Sequence, residues 1–358
     1  MSSMNKNTEC YQKHALEMHL PVTYNSELGT LELSLGSKHY FFFRAVTPLN
    51  SYTNAFVSKN KYATNSLLEK AGIPVPNTTV IYQDQFQNGE LDEIISGLSF
   101  PLVAKPVTGG LGEDVLCNIQ NLAQLEEHLH EQLVKYESLL IQEYLGNLQS
   151  YRVLVLKNKV IGVVLRHPAH VIGDGKHNLQ ELVEITNKQR QKINDTLGPI
   201  CIDTEFNIRL HELNIDLNYI PPKGEWVTVA YTSNATRGGT YISLGKKICK
   251  ENKRLFVRAA KVLGLELVGF DVQCADINEP LDHSNGAIIE ANHGPSVRIH
   301  EHAMDGIPTP VCKKILRTLI YKHPLAYLYN LYLNAPIAVY MKIGFILVLG
   351  YGFYKLIS

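Results

Sequence analysis

Several marks of large function classes are missing from this 358-residue sequence. It has no excess of either charge, since 34 Lys and Arg balance 34 Asp and Glu. Proteins that grip nucleic acid need a surplus of cations for the phosphate backbone, so that partner is not expected; a local basic pocket for a small anion still is allowed. The six cysteines, Cys10, Cys117, Cys201, Cys249, Cys274 and Cys312, form no Cys-x-x-Cys pair and no zinc spacing. The N-terminal stretch MSSMNKNTECYQKH lacks an apolar leader core. Together these point to a reducing, cytosolic setting for the main body. There is no Walker A sequence, because GDGKHN around Lys176 has the wrong spacing. No nucleophile elbow or triad motif is present, no internal repeat and no low-complexity linker.

What is there begins with size: at 45% hydrophobic, the chain can build two or three units with continuous cores. Residues 28–46 alternate as a hairpin turning near Gly36-Ser37, and a helix is expected from Ser58, as N-cap, to Lys70. FPLVAKP (100–106) reads as a buried strand stopped by Pro106, followed by the loop VTGGLGEDV. Leu122, Leu125, Leu129 and Leu133 mark a helix, LLIQEYL (139–145) a strand, and residues 151–166 a hairpin turning at Lys157 to Lys159. Helices follow over 178–194 and 250–263, separated by a polar, irregular region to about Gly239, and then strands over 266–274 and 287–292. Hairpins mixed with helices give an α+β fold rather than a doubly wound parallel sheet. The C-terminal segment, residues 335–354, carries Lys342 as its single charge and is long enough to cross a hydrocarbon core, with Lys313, Lys314, Arg317 and Lys322 before it. Two readings stay open for it: a membrane-associated tail, or an apolar helix packed on the protein or lying in the membrane interface.

The chemistry-bearing residues interrupt apolar strands. In IIEAN, Glu290 and Asn292 lie two apart and share a strand face. Asp271 breaks the preceding strand in GFDV. Any one of these alone is an ordinary cross-strand partner for Lys or Arg. Three hard oxygen donors on two neighbouring strands suit Mg²⁺ or Mn²⁺ completed by waters and phosphate oxygens. Phosphate holders are then sought in Lys105, at a strand end, and in the glycines of TGGLG, Gly109, Gly110 and Gly112. Arg166 and Arg298 offer guanidinium forks for carboxylates or a transferring phosphoryl group. His300-Glu301-His302 has no paired motif to support a transition metal.

Lys61 with AGIPVP, FPLVAKP, the Gly-rich loop, IQEYL, SYRVLVLKNKVIG, GFDV and IIEAN resemble, in order and spacing, the ATP-grasp superfamily from about residue 45 to 312. The segment RHPAHVIGDGKHNLQELVEITN (166–187), PPKGEW, the Asn234…Gly238-Gly239 run and GPSVRIH are similar to the ATP-grasp module of cyanophycin synthetases and related glutathione-synthetase modules. The resemblance implies a nucleotide held between two α+β subdomains with antiparallel sheets. It implies an N-terminal strand-containing segment (1–57), an ATP-grasp domain (58–312) divided into a lid-bearing lobe (58–145) and a metal-bearing lobe (146–312), and a basic then apolar tail (313–358).

By the same resemblance Lys61 and Lys105 contact the nucleotide phosphates and Gly109, Gly110 and Gly112 form a mobile lid. Gln142, Glu143, Tyr144 and Leu145 form the adenine hinge, Ser150 stands at the ribose, and Asn234 lies near the phosphates. Asp271, Glu290 and Asn292 hold the metal, and Arg166 and Arg298 steady the phosphoryl group and acyl intermediate. Two departures stand out: Glu113 and Asp114 follow the lid glycines, and the ribose position carries Ser150 in place of a carboxylate. The implied activity is ATP- and Mg²⁺-dependent carboxylate–amine ligation on an amino acid or peptide. Alternatives are a catalytically weakened nucleotide-binding protein with a regulatory or membrane-tethered role, or an enzyme glutamylating a protein. Implied partners are the small substrates, a membrane through residues 335–354, and a second copy of the chain in a homo-oligomer.

Overall fold

The computed structural model describes residues 4–110, 114–193, 197–334 and 338–357. In chain order, the first unit opens with α1 (Lys6–Glu17) and an antiparallel sheet of β1 (Val22–Asn25), β2 (Thr30–Leu35) and β3 (Lys38–Phe43). Then come α2 (Tyr52–Lys59), α3 (Lys61–Lys70), β4 (Thr78–Tyr82), β5 (Leu102–Pro106), β6 (Leu116–Ile119), α4 (Leu122–Gln132) and β7 (Ser138–Glu143). The chain continues through β8 (Gln149–Leu156), β9 (Lys159–His167), β10 (His170–Ile172), α5 (Leu179–Ile193), α6 (Thr204–Glu212), β11 (Trp226–Thr228) and β12 (Thr240–Gly245). Last are α7 (Lys250–Val262), β13 (Leu267–Cys274), β14 (Gly286–Asn292), β15 (Asp305–Gly306), α8 (Val311–Lys322), α9 (Pro324–Asn334) and α10 (Ala338–Ile357). Contacts divide the chain into two units, one of residues 1–48, 296–298 and 310–358, the other of residues 49–295 and 299–309.

In the first unit, Leu31, Leu33 and Leu35 alternate inward from β2 and meet Tyr11, Ala15 and Phe42, so one sheet face is apolar and covered. The side chain of Asn7 on α1 accepts hydrogen bonds from the Ser296 hydroxyl (3.1 Å) and the Val297 amide (3.0 Å). Glu17 pairs with Lys313 at 2.8 Å.

The second unit contains two main sheets. One has the order β4-β7-β5-β6; the other has the order β14-β13-β8-β9-β12-β15, antiparallel except for the short parallel β12–β15 pairing. Strand alternation separates core from chemistry in the larger sheet. Val268, Phe270 and Val272 of β13, with Tyr151, Val153 and Val155 of β8, enter an apolar core against Phe256, Ala259 and Ala260 of α7. The intervening residues, Gly269, Asp271, Ser150 and Arg152, take the opposite face. On β14 the alternation is broken by a bulge: Asp271 pairs with Glu290 and Val272 with Ile288. The extra residue, Ile289, lets Ile288 point to the core while Glu290 joins the polar face.

Three sequence expectations change. Ser58 is not a helix cap: it lies buried near the end of α2, its hydroxyl donating to Ala55 O at 2.8 Å. The helix carrying Lys61 is capped by Asn60, whose side-chain oxygen accepts the Ala63 amide at 2.9 Å. The region to Gly239 is not irregular throughout, since α6 is capped by Asp203 and buries Phe206 and Leu210 one turn apart.

Candidate functional site

The polar face of the larger sheet presents Glu290, Asp271 and Arg152 in one row across β14, β13 and β8. In the next row Ser150 stands beside Arg166 of β9. Asp271 is clasped twice: by Arg152 Nε through a short hydrogen bond, and by Arg166 Nη1 at 3.3 Å. Burial alone would raise its carboxyl, but the Arg152 and Arg166 guanidiniums outweigh it and hold it below the ordinary carboxylate range. Arg166 also donates from Nη2 to Ser150 Oγ at 2.9 Å, which fixes its plane, while its buried Nε has no partner. Gly269 is required here, because a Cβ would lie 2.7 Å from Pro295 Cβ and 3.1 Å from Arg152 Cδ.

Facing this sheet are two lysines. Lys105, at the end of β5, is buried and donates to Gln142 Oε1 at 2.9 Å. Gln142 is itself held by Thr78 at 2.9 Å, and Thr78 accepts from Asn65 at 2.9 Å. Burial pushes the Lys105 ammonium below the ordinary lysine value, partly opposed by the charge of Glu290. Lys61, opening α3, is lowered by burial in the same way and opposed by the same carboxylate. Its backbone amide donates to Val107 O and its Nζ to Gly109 O, both at 3.0 Å, so the start of α3 is tied to the Gly-rich loop. A small cleft lined by Lys61, Thr64, Asn65 and Glu290 opens beside it. Lys61, Lys105, Arg152 and Arg166 outnumber the two carboxylates, so the site favours an anion.

The structure distributes the predicted residues unevenly. Asp271, Glu290 and Asn292 share one sheet face as expected, and Lys61 and Lys105 lie within electrostatic reach of Glu290. Gly109 adopts φ +117°, a left-handed conformation in which a side chain would be strained; Gly110 lies in the same loop, and Gly112 and Glu113 lie outside the described residues. Asp114 turns toward Tyr136 and Lys135: its Oδ2 accepts the Tyr136 hydroxyl at 2.6 Å, and that bond, with Lys135, lowers its carboxyl. Gln142 uses its side chain to hold Lys105. Glu143 uses its carboxylate on the Ser99 amide and Asn77, both at 2.9 Å. The Glu143 and Tyr144 amides are also committed, to Asn77 O and Pro101 O, which leaves Leu145 as the open backbone donor of that segment. The Asn234 side-chain oxygen accepts from the Thr236 amide and hydroxyl, at 3.1 and 2.9 Å. Arg298 opens a short helix, Arg298–Glu301, and is grouped with the first unit.

Sequence reading missed Arg152 and the buried Arg190, which donates to the carbonyls of Gly198 (2.8 Å), Ala235 (3.2 Å) and Gly239 (2.9 Å) and so shapes the loop around Asn234. It also gave His300 no role. The ring of His300 packs on Gly162 of β9, where an added Cβ would be 2.6 Å from Nδ1.

A divalent cation fits this donor set. Among the described residues Glu290 makes no hydrogen bond or ion pair, Lys61 and Lys105 reaching it only through space, and the Asn292 carboxamide nitrogen is buried without a partner. Among the described residues no cluster of three His, Cys, Asp or Glu forms a metal cage. Two carboxylates and an amide suit an ion that takes its remaining oxygens from phosphates.

The lowered Lys105 value has a measurable consequence. Below that value Lys105 is charged and attracts phosphate; as pH rises through it, the charge is lost earlier than for an ordinary lysine. Affinity for a non-hydrolysable ATP analogue therefore falls with rising alkaline pH. Equilibrium titrations from neutral pH upward toward the ordinary lysine value check this, with Lys105→Arg, which stays charged throughout, expected to flatten the curve. For the protein without nucleotide the sign is opposite. The unfolded chain retains the proton to higher pH, so stability rises with pH between the lowered folded value and the ordinary one.

Residues 58–218 match the family described as the RimK-like ATP-grasp domain. A cyanophycin synthetase of Trichormus variabilis is 30% identical over 322 residues, covering 89% of this chain and 35% of that protein. A bifunctional glutathione biosynthesis protein of Streptococcus agalactiae is 26% identical over 283 residues, covering 76% of this chain and 37% of that protein. The chain thus spans about a third of the length of these curated relatives. The crystal structure of a bifunctional glutathione synthetase from Pasteurella multocida superposes with TM-score 0.63 at 22% identity, covering 89% of this chain and 44% of that one, a likeness of fold.

Proposed function

The chain carries a RimK-like ATP-grasp domain and is homologous to cyanophycin synthetases and glutathione-synthetase-like ATP-grasp proteins, and on that premise we propose that it is an ATP- and Mg²⁺-dependent carboxylate–amine ligase. The observation that carries the reading is the pairing of Asp271 with Glu290 across β13 and β14, opposite the buried Lys105 and the half-buried Lys61. In this reading the lid-bearing lobe (58–145) and the metal-bearing lobe (146–312) enclose the nucleotide. Lys61 and Lys105 hold its phosphates, Gly109, Gly110 and Gly112 cover them, and the Leu145 amide meets the base at the hinge. Asp271, Glu290 and Asn292 hold Mg²⁺, which neutralises charge spread over the phosphoryl oxygens.

The chemistry proceeds in two transfers. The oxygen of a substrate carboxylate attacks the γ-phosphorus, the bond to the bridging oxygen breaks, and ADP leaves with an acylphosphate formed. An amine then attacks the acyl carbon, loses a proton and expels phosphate, leaving an amide. The chain's part is positional and electrostatic. Arg166, oriented by Ser150 and Asp271, steadies the transferring phosphoryl group, and Arg298 the acyl intermediate. Asn234 and the loop shaped by Arg190 border the substrate side, and closure of the lid excludes water that would hydrolyse the acylphosphate. The substrate class is an amino acid or short peptide, and the apolar tail, α10, attaches the enzyme to a membrane. By length and composition α10 is long and apolar enough to cross one.

A second reading, a nucleotide-binding protein with weakened catalysis, is favoured by one observation: both oxygens of Asp271 are engaged by arginines. One experiment separates the two. Full-length protein in detergent is supplied with Mg·ATP, panels of amino acids and short peptides, and hydroxylamine. A ligase releases ADP in a substrate-dependent manner and yields a hydroxamate from the trapped acylphosphate. Binding of Mg·ATP without either product supports the second reading, and failure to bind Mg·ATP overturns both.

A further inference from the structure

The helix α9 carries two apolar stripes, and one of them is largely exposed among the described residues. The inner stripe is fastened to the first unit. The Tyr327 hydroxyl donates to Met18 O at 3.0 Å, Asn330 Nδ2 donates to His19 O at 2.6 Å, and Leu331 is buried. Ala326 sits close under Gly36, at the β2–β3 turn. The outer stripe is Leu325, Leu328, Tyr329, Tyr332 and Leu333, positions three and four apart and therefore on one helical face. Leu325 is 79% exposed, Tyr329 65% and Leu328 50%. Soluble surfaces scatter such residues singly; a continuous stripe on a helix already anchored on its other face marks a contact surface.

What covers the stripe is indicated by α10. This helix is apolar around its circumference and exposed along its length, as Tyr340, Ile346, Val348, Tyr351 and Tyr354 illustrate. Its 20 residues extend about 30 Å, the thickness of a hydrocarbon core. The Nζ of Lys342, one turn into α10, lies 5.2 Å from the centre of the Tyr332 ring. Tyr332 belongs to the outer stripe, so the start of α10 meets α9 on its exposed side. A lipid surface that receives α10 therefore lies against the stripe as well. Tyr329 and Tyr332, each with an apolar body and a polar tip, suit the headgroup boundary, and Lys342 there can keep its charge at the interface.

We propose that α9 is an interfacial helix, seating the first unit on the membrane with its Leu325–Leu333 stripe in the headgroup–acyl boundary beside the inserted α10. The inference rests on the membrane reading of α10, and depth-resolved fluorescence separates the two. The chain has one tryptophan, so Trp226→Phe supplies a dark background. In it Tyr329→Trp reports on α9 and Leu347→Trp on α10, each in full-length protein reconstituted into phosphatidylcholine–phosphatidylglycerol vesicles. The expected result is loss of Tyr329→Trp emission with lipids brominated near the headgroup, and loss of Leu347→Trp emission with lipids brominated near the chain end. Quenching of the second probe without the first overturns the interfacial helix and leaves the tail reading standing. Quenching of neither removes the tail reading and the inference with it. A concentration-dependent blue shift of the Tyr329→Trp probe in lipid-free protein assigns the stripe to a second copy of the chain, and also overturns the proposal.

Discussion

Glu290→Ala is expected to reduce ATP turnover by on the order of 10²-fold or more while leaving the melting temperature unchanged or slightly raised. The two halves of that expectation come from different contacts. Among the described residues Glu290 makes no hydrogen bond or ion pair, so its removal strands no directly bonded partner. It also stands directly across β13–β14 from Asp271, and like charges in that position oppose each other. Its carboxylate supports the Lys61 and Lys105 ammoniums while opposing Asp271, so a small net effect on folding is expected and the loss should fall on cation binding. The loss also withdraws the charge that partly supports the Lys105 ammonium, so the Lys105 value falls further and the alkaline decline in nucleotide affinity moves to lower pH. Steady-state ADP release, Mg²⁺ titration and thermal melting on the same preparation measure all three. Turnover within a few-fold of wild type would remove Glu290 from the metal site.

Asp271→Ala has the opposite profile in folding. Arg152 and Arg166 are both largely buried, and each is compensated by this one carboxylate. Removing it strands two guanidiniums on a low-dielectric sheet face, and breaking a buried pair in this way costs about 3–5 kcal/mol. Urea denaturation should show a shifted midpoint with an unchanged slope. Arg152→Leu added to Asp271→Ala should restore part of the loss, because residues in direct contact are not additive. A denaturation midpoint for Asp271→Ala equal to wild type would show that the arginines find other partners and that the carboxylate is present for the metal alone. The neighbouring carboxylates thus differ in the fold: Asp271 is a structural counter-ion for two arginines, and Glu290 is not.

This difference could not be read from the sequence. Asp271, Glu290 and Asn292 were legible because each interrupts an apolar strand, and periodicity placed the last two on one face. Arg152 was not, because a single Arg at the start of SYRVLVL looks like an exposed strand end, and its partner is fixed only by the β8–β13 register. Gln142 was placed at the hinge by the resemblance alone. Its side chain instead points across the smaller sheet to Lys105, as strand alternation from β7 to β5 dictates. The acidic lid looked repulsive to a triphosphate, but Asp114 is drawn aside by Tyr136, a partner 22 positions away. The strands near 102–106, 139–143, 151–166, 267–274 and 286–292 and the helices α3, α4, α5 and α7 followed from pattern, whereas α1, α8 and α9 did not. α6 escaped notice because Phe206 and Leu210 are its only fully inward residues in a polar stretch, although Asp203 before them is a helix-start signal.

The bulge at Ile289 gives this site a dependence on counting rather than on identity. Ile288 and Glu290 would share a face in an unbroken strand, and the carboxylate would be carried into the apolar layer beside Phe270 and Val272. The extra residue reverses parity for everything after it. Substitutions at position 289 can therefore be tolerated for as long as one residue remains there, whereas loss or gain of a single residue between 286 and 290 exchanges the inner and outer faces at once. The spacing of the strand does as much to set Glu290 opposite Asp271 as the identity of either residue.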